Sequence, residues 1–116
     1  MQLKWTTERF YQIEIPLEGA PWGVYVIWTR TRHGGYYVPH LGQGRISTRI
    51  LRSRRELFAE SQGQWSAQRR PDVHVSWAEV PADKRQAVAA YLSDRLKPAL
   101  DDTFKGPRLE VNLPFG

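Results

Sequence analysis

The chain has 116 residues, 41% of them apolar and 12% aromatic, with five Trp; that is interior enough for one folded domain and too little for two. It has no cysteine, which removes disulfides, thiolate chemistry and Cys-based zinc sites, and its three histidines, His33, His40 and His74, lack the His-x-x-x-His spacing of a zinc hydrolase. Lys and Arg outnumber Asp and Glu 17 to 12, for a net charge of +5, while the longest apolar run, Ala87 to Leu92, falls far short of a membrane span. With no signal-length apolar stretch near Met1, the expected location is cytoplasmic, with no membrane partner.

Residues 11 to 17, Tyr-Gln-Ile-Glu-Ile-Pro-Leu, alternate as a short strand that Pro16 ends or places at an edge. Gly19 to Pro21 is a turn. Gly23 to Arg30 is β-branched and aromatic almost throughout and is the strongest strand of the sequence. His33-Gly34-Gly35 turns the chain, and Tyr36 to Leu41 returns as its antiparallel partner. Gly42-Gln43-Gly44 is expected to break the chain before a helix over Ile46 to Glu60. Its apolar stripe, Ile46, Ile50, Leu57 and Phe58, is interrupted at Ser53 or Arg54.

Gln62 to Pro71 is a polar loop that Trp65 is expected to pin to the core. Val73 to Val80 alternates as a further strand, with Val73, Val75, Trp77 and Glu79 the preferred inward set and His74, Ser76, Ala78 and Val80 the other choice. Pro81 to Lys97 reads as a helix with Val88, Leu92 and Leu96 on one stripe and Ala89 beside them, stopped by Pro98. A turn at Lys105-Gly106-Pro107 and a strand over Leu109 to Leu113 complete the chain. The order implies an α+β fold: a small, mainly antiparallel three-stranded sheet (Gly23–Arg30, Tyr36–Leu41, Val73–Val80) flanked by helices.

The charge is concentrated. Arg45, Arg49, Arg52, Arg54 and Arg55 fall within eleven residues that hold no acid, preceded by Arg30 and Arg32 and followed by Arg69 and Arg70. Arg45, Arg49 and Arg52 share a helix face. Arginine is suited to bidentate phosphate contact, and clustered basic charge to a polyanion. A solvated helix face is the plain alternative. The five Trp read as core and loop anchors, with exposed base-stacking platforms as the alternative.

Three segments together resemble one family. Gly23-Val24-Tyr25 opens the strong strand, and His40-Leu41-Gly42 closes its partner. Leu41-Gly42-Gln43-Gly44-Arg45-Ile46-Ser47-Thr48-Arg49-Ile50 then leads into a helix bearing Arg49. Ala89-Ala90-Tyr91-Leu92 followed by Lys97-Pro98-Ala99-Leu100-Asp101 is similar to a closing pattern of Glu, x, x, Leu, a gap, Lys-Pro, x, x, Asn. This resembles the GIY-YIG nuclease superfamily over residues 22 to 102, taken as the core of one domain spanning 1 to 116 with terminal extensions packing on it.

The resemblance implies a divalent-metal endonuclease, with Mg²⁺ or Mn²⁺ as cofactor and nucleic acid, DNA first, as partner. It assigns Tyr25 as candidate general base, His40 as a supporting group where tyrosine is usual, and Arg49 as phosphate contact. Arg45, Arg52 and Arg55 join Arg49 as nucleic-acid contacts. The metal-binding glutamate of the family falls on Ala89, which cannot hold a cation, and its asparagine falls on Asp101. Convergence of Tyr25, His40, Arg49 and Ala89 on one concave surface is expected. The missing acid leaves enzyme activity open. The leading expectation is a nuclease scaffold with lost or impaired cleavage, by natural divergence or by substitution. The alternatives are an active endonuclease with a displaced acid (Glu79, Glu56, Glu60 or Asp101) and a non-catalytic protein-interaction module.

Overall fold

The strand β2 (Trp22–Arg30) organises the chain because every residue from Gly23 to Thr29 is buried, so both of its faces are covered. The computed structural model describes residues 1–101 and 104–115, and the side chains of Leu100 and Asp101 lie outside that description. β2 pairs antiparallel with β3 (Tyr36–Arg45) on one side and with β4 (His74–Glu79) on the other. These three are the expected sheet. It is widened by β1 (Thr6–Arg9), antiparallel to β4, and by the two-residue β5 (Leu100–Asp101), parallel to β3, giving the order β1-β4-β2-β3-β5. With helices α1 (Ile46–Glu60) and α2 (Arg85–Leu96) the fold is α+β.

Alternation along β2 divides the interior in two. Val24, Val26 and Trp28 face α2 and pack with Val88, Ala89 and Leu92. Tyr25 and Ile27 face α1 and pack with Ile46, Ile50 and Leu57. Ile46 and Ile50 are fully buried, a contribution of about 1.5–3 kcal/mol each. The choice between two inward sets on β4 dissolves for the same reason: Val73 and Val75 join the α1 side, while Ala78 and Val80 join the α2 side.

Four expected boundaries move. Residues 11 to 17 are not a strand: Gln12 and Ile13 turn back on the Arg9 carbonyl, and the Arg54 guanidinium donates to the Phe10 and Ile13 carbonyls. The strand lies earlier, at β1, whose four residues are all exposed and so carry no apolar alternation. Gly42-Gln43-Gly44 does not break the chain. β3 runs through it to Arg45, with Gly44 paired to Gly23; Gly23 itself must be bare on its β4 side, where a Cβ would sit 1.9 Å from the Ala78 carbonyl oxygen.

The second helix begins at Arg85 rather than Pro81, after a turn in which Lys84 and Arg85 donate to the Pro81 carbonyl. Leu109 to Leu113 is not a strand either. The Asn112 side chain instead pairs with both the N–H and the carbonyl of Leu3, doing for the N-terminus what a strand partner would do. Trp65 packs against the α1-side core, as expected of a loop anchor.

Candidate nucleic-acid interface

The α1 face of the sheet is built from small and polar residues near its centre. In register across β4, β2 and β3 lie Trp77, Tyr25 and Gly42, and beside them Glu79, Gly23 and Gly44. The bare backbone of Gly42 lets the Tyr25 ring lie down across β3. A Cβ there would meet the Tyr25 hydroxyl oxygen at 2.7 Å and the ring carbons at 2.9 and 3.0 Å. The ring reaches His40, one row along β3, edge to face with centroids 5.6 Å apart.

Three polar atoms meet under that ring. His40 Nδ1 lies 2.7 Å from Ser53 Oγ, and the Tyr25 hydroxyl lies 3.3 Å from Ser53 Oγ and 3.5 Å from His40 Nδ1. The Ser53 contact is the short one, and with either imidazole tautomer it fixes the ring. Tyr25 and Ser53 are fully buried and His40 nearly so. A buried serine beside a histidine is no nucleophile, since no substrate reaches it. The trio is a polar girder joining β2, β3 and α1. Ser53 carries a sequence signal, as the polar break in the α1 stripe, but residue type alone does not tell it from a harmless interruption.

Arg49 leads from this girder to the surface. Its guanidinium carbon lies 5.9 Å from the Tyr25 ring centroid, and its Cγ and Cδ are 3.5 and 3.7 Å from where a Cβ on Gly44 would be. The half-buried side chain therefore lies over glycine backbone and against an aromatic face, which sets its direction.

The charges on α1 run against its dipole. Arg45 is the N-cap, with extended φ and ψ of −74° and 113° and no side-chain cap; Arg49 and Arg52 follow, and the first turn holds no acid. The last turn holds no base and ends on Glu60, with Glu56 one turn before it. Within the terminal turns, where the dipole acts, Arg45 at the positive end and Glu60 at the negative end each cost about 0.3–1 kcal/mol. A helix arranged so is destabilised in isolation and relieved by an anion at its N-terminus.

The five clustered arginines separate in space. Arg45 and Arg55 are exposed, with no carboxylate in ion-pair range among the described residues. Arg52 is exposed and pairs with Glu56 at 2.8 Å. Arg54 turns inward to the Phe10 and Ile13 carbonyls, and its burial lowers its pKa. So Arg45, Arg49, Arg52 and Arg55 line the outer side of α1, while Arg54 is structural.

Ala89 does not join them. It is fully buried in the α2-side core with Val24 and Val26, across the sheet from Tyr25. The expected convergence of Ala89 with Tyr25, His40 and Arg49 is therefore corrected: adjacent strand residues point to opposite faces, and α2 covers the other one. A glutamate at this position would be buried among apolar side chains, away from Arg49.

The described displaced-acid candidates take different places. Glu79 shares the sheet face of Tyr25, Glu56 is engaged by Arg52, and Glu60 borders a cleft with Tyr37 and Trp65. The Asp101 side chain lies outside the described residues. Among the described residues no three His, Asp or Glu side chains gather as a cation site. Among the described contacts, Arg49 has a phenol, an imidazole and a hydroxyl near it, and these by themselves do not make a site for Mg²⁺ or Mn²⁺. Comparison with models of known families, with curated proteins and with solved structures finds no match to this chain.

Proposed function

We propose that this chain is a GIY-YIG-like nucleic-acid-binding domain that grips a phosphodiester backbone, DNA first, along the N-terminal half of α1, with cleavage lost or impaired. The observation that carries this is the row of cations running from the N-cap of α1 to its middle, above a buried girder that aims one of them. Arg49 contacts a phosphate in a direction set by the Tyr25 ring. Arg45 and Arg52 take neighbouring phosphates, and the α1 amides add their partial positive charge. Tyr25, His40 and Ser53 act as positioning residues, since their polar atoms are buried in this arrangement. No hydrolytic step is routed through a cation, because no group of acids or histidines among the described residues forms a site for one.

A titration of labelled duplex DNA and RNA against salt tests this. Log K should fall with log salt by roughly 0.9 per phosphate contacted, and Arg49→Gln with Arg52→Gln should flatten the slope by up to about 2. An unchanged slope would return these arginines to solvent. The second reading, an active endonuclease with a displaced acid, is favoured by the place of Glu79 on the Tyr25 face of the sheet. Mg²⁺-dependent cleavage by the unmodified chain, abolished by Glu79→Gln, would establish it; product at background in Mg²⁺ and Mn²⁺ supports the binding reading.

A further inference from the structure

The C-terminal half of α1 carries a feature that backbone contact leaves unexplained. A cleft of about 440 Å³ opens beside it, bordered by Tyr11, Arg54, Arg55, Phe58 and Trp65, with no acid among its lining residues. Phe58 is 54% exposed, the most exposed of the large apolar side chains. The turn that ends α1 supports its ring: Gly63 donates to the Phe58 carbonyl at 2.8 Å, and a Cβ on Gly63 would lie 3.6 Å from the ring. The Arg70 guanidinium sits 5.1 Å from the Trp65 centroid. The Tyr11 hydroxyl oxygen is buried, with no hydrogen-bond partner among the described residues. Native structures rarely leave such a group unsatisfied.

We infer that this cleft is a stacking subsite for an unpaired base of the same strand whose backbone crosses Arg45, Arg49 and Arg52. The inference rests on the backbone-binding reading above and adds to it a preference for nucleic acid with a single-stranded portion. The pairing of ring and charge selects a base over other occupants. The exposed Phe58 ring and the half-buried Trp65 ring, beside guanidinium groups, match a planar heterocycle next to a phosphate. An acidic peptide would satisfy the arginines but offers the rings no planar face to stack on. Arg45 and Phe58 are about 20 Å apart along the helix axis and about 140° apart around it, so a strand joining them winds over the exposed face of α1 past Arg55.

The test compares three fluorescently labelled DNAs: a blunt duplex, the same duplex with an eight-nucleotide single-stranded overhang, and that overhang made abasic. The overhang should bind about 5- to 100-fold more tightly than the blunt duplex, and the abasic version should lose the gain. Phe58→Ala, at an exposed site whose change spares the core, should remove the same factor for the overhang and leave blunt-duplex binding unchanged, while Phe58→Tyr should retain it. Salt-dependent binding of the blunt duplex with no overhang advantage would overturn this inference and leave the backbone reading intact. No binding of any of the three would overturn both. Equal competition by a polyglutamate peptide, unaffected by Phe58→Ala, would assign the site to simple charge attraction and overturn the stacking proposal.

Discussion

Replacing Arg45 by aspartate should stabilise the protein and weaken its grip on nucleic acid in the same step. Arg45 has the extended backbone of an N-cap but no capping side chain. The Ile46 N–H is already taken by the Pro21 carbonyl at 3.0 Å, so the introduced carboxylate would serve the next amides, those of Ser47 and Thr48. A cap of this kind is worth about 1 kcal/mol, and exchanging a cation for an anion at the positive end of the dipole adds about 0.3–1 kcal/mol. Together these give about 1–2 kcal/mol, or a rise in Tm of about 4–8 °C for a chain of this size. The same change removes one phosphate contact and should flatten the salt slope of DNA binding by about 0.9. Urea and thermal unfolding measure the first effect, and salt titration by fluorescence anisotropy the second. A Tm that does not rise would mean the dipole conflict in α1 is already relieved. A Tm that rises with no change in slope would mean the strand does not pass Arg45, which refutes the proposed path.

Two further outcomes bear on the girder and the cleft. Gly42→Ala should cost about 1–3 kcal/mol in urea unfolding, because its Cβ would strike the Tyr25 ring and hydroxyl. Combined with Tyr25→Phe the loss should fall short of the sum of the two, since both act on the same contact; strict additivity would refute the close approach. Burial holds the Tyr11 phenol above its ordinary range, so its contribution to stability is complete below the unfolded phenol value near 10 and is lost as pH rises through the higher folded value. Tyr11→Phe should therefore lessen the alkaline fall in stability above about pH 10, measured by urea midpoints; an identical fall in both proteins would show that the phenol titrates as it does in water.

The order of strands and helices follows from local chemistry. β2 is legible because Val24 to Thr29 are β-branched or aromatic at every position, and α1 because Ile46, Ile50 and Leu57 return at helical spacing. Where propensity and pattern are weak, the sequence is silent. β1, Thr-Thr-Glu-Arg, owes its conformation to β4 and to the Thr7–Ser76 hydroxyl contact of 2.7 Å rather than to its own residues. Residues 11 to 17 alternate well, yet the turn there is held by Arg54, a side chain 44 positions from Phe10 and 41 from Ile13.

The candidate site divides in the same way. The resemblance singles out Tyr25, His40 and Arg49, and these meet on one face of the sheet; Ser53, which ties Tyr25 to His40, is visible in the sequence only as a flaw in a stripe. Ala89 carries the opposite lesson. Its place in the chain matches a motif, but which face of a sheet a helix covers is set by the crossing of the chain from β4 into α2, and no local spacing encodes that. The residues alone reveal which segments are strand and helix and where positive charge accumulates, because those depend on neighbours within a few positions. Which side chains meet is settled in three dimensions, because in a sheet buried on both faces a single residue step moves a side chain from one core to the other.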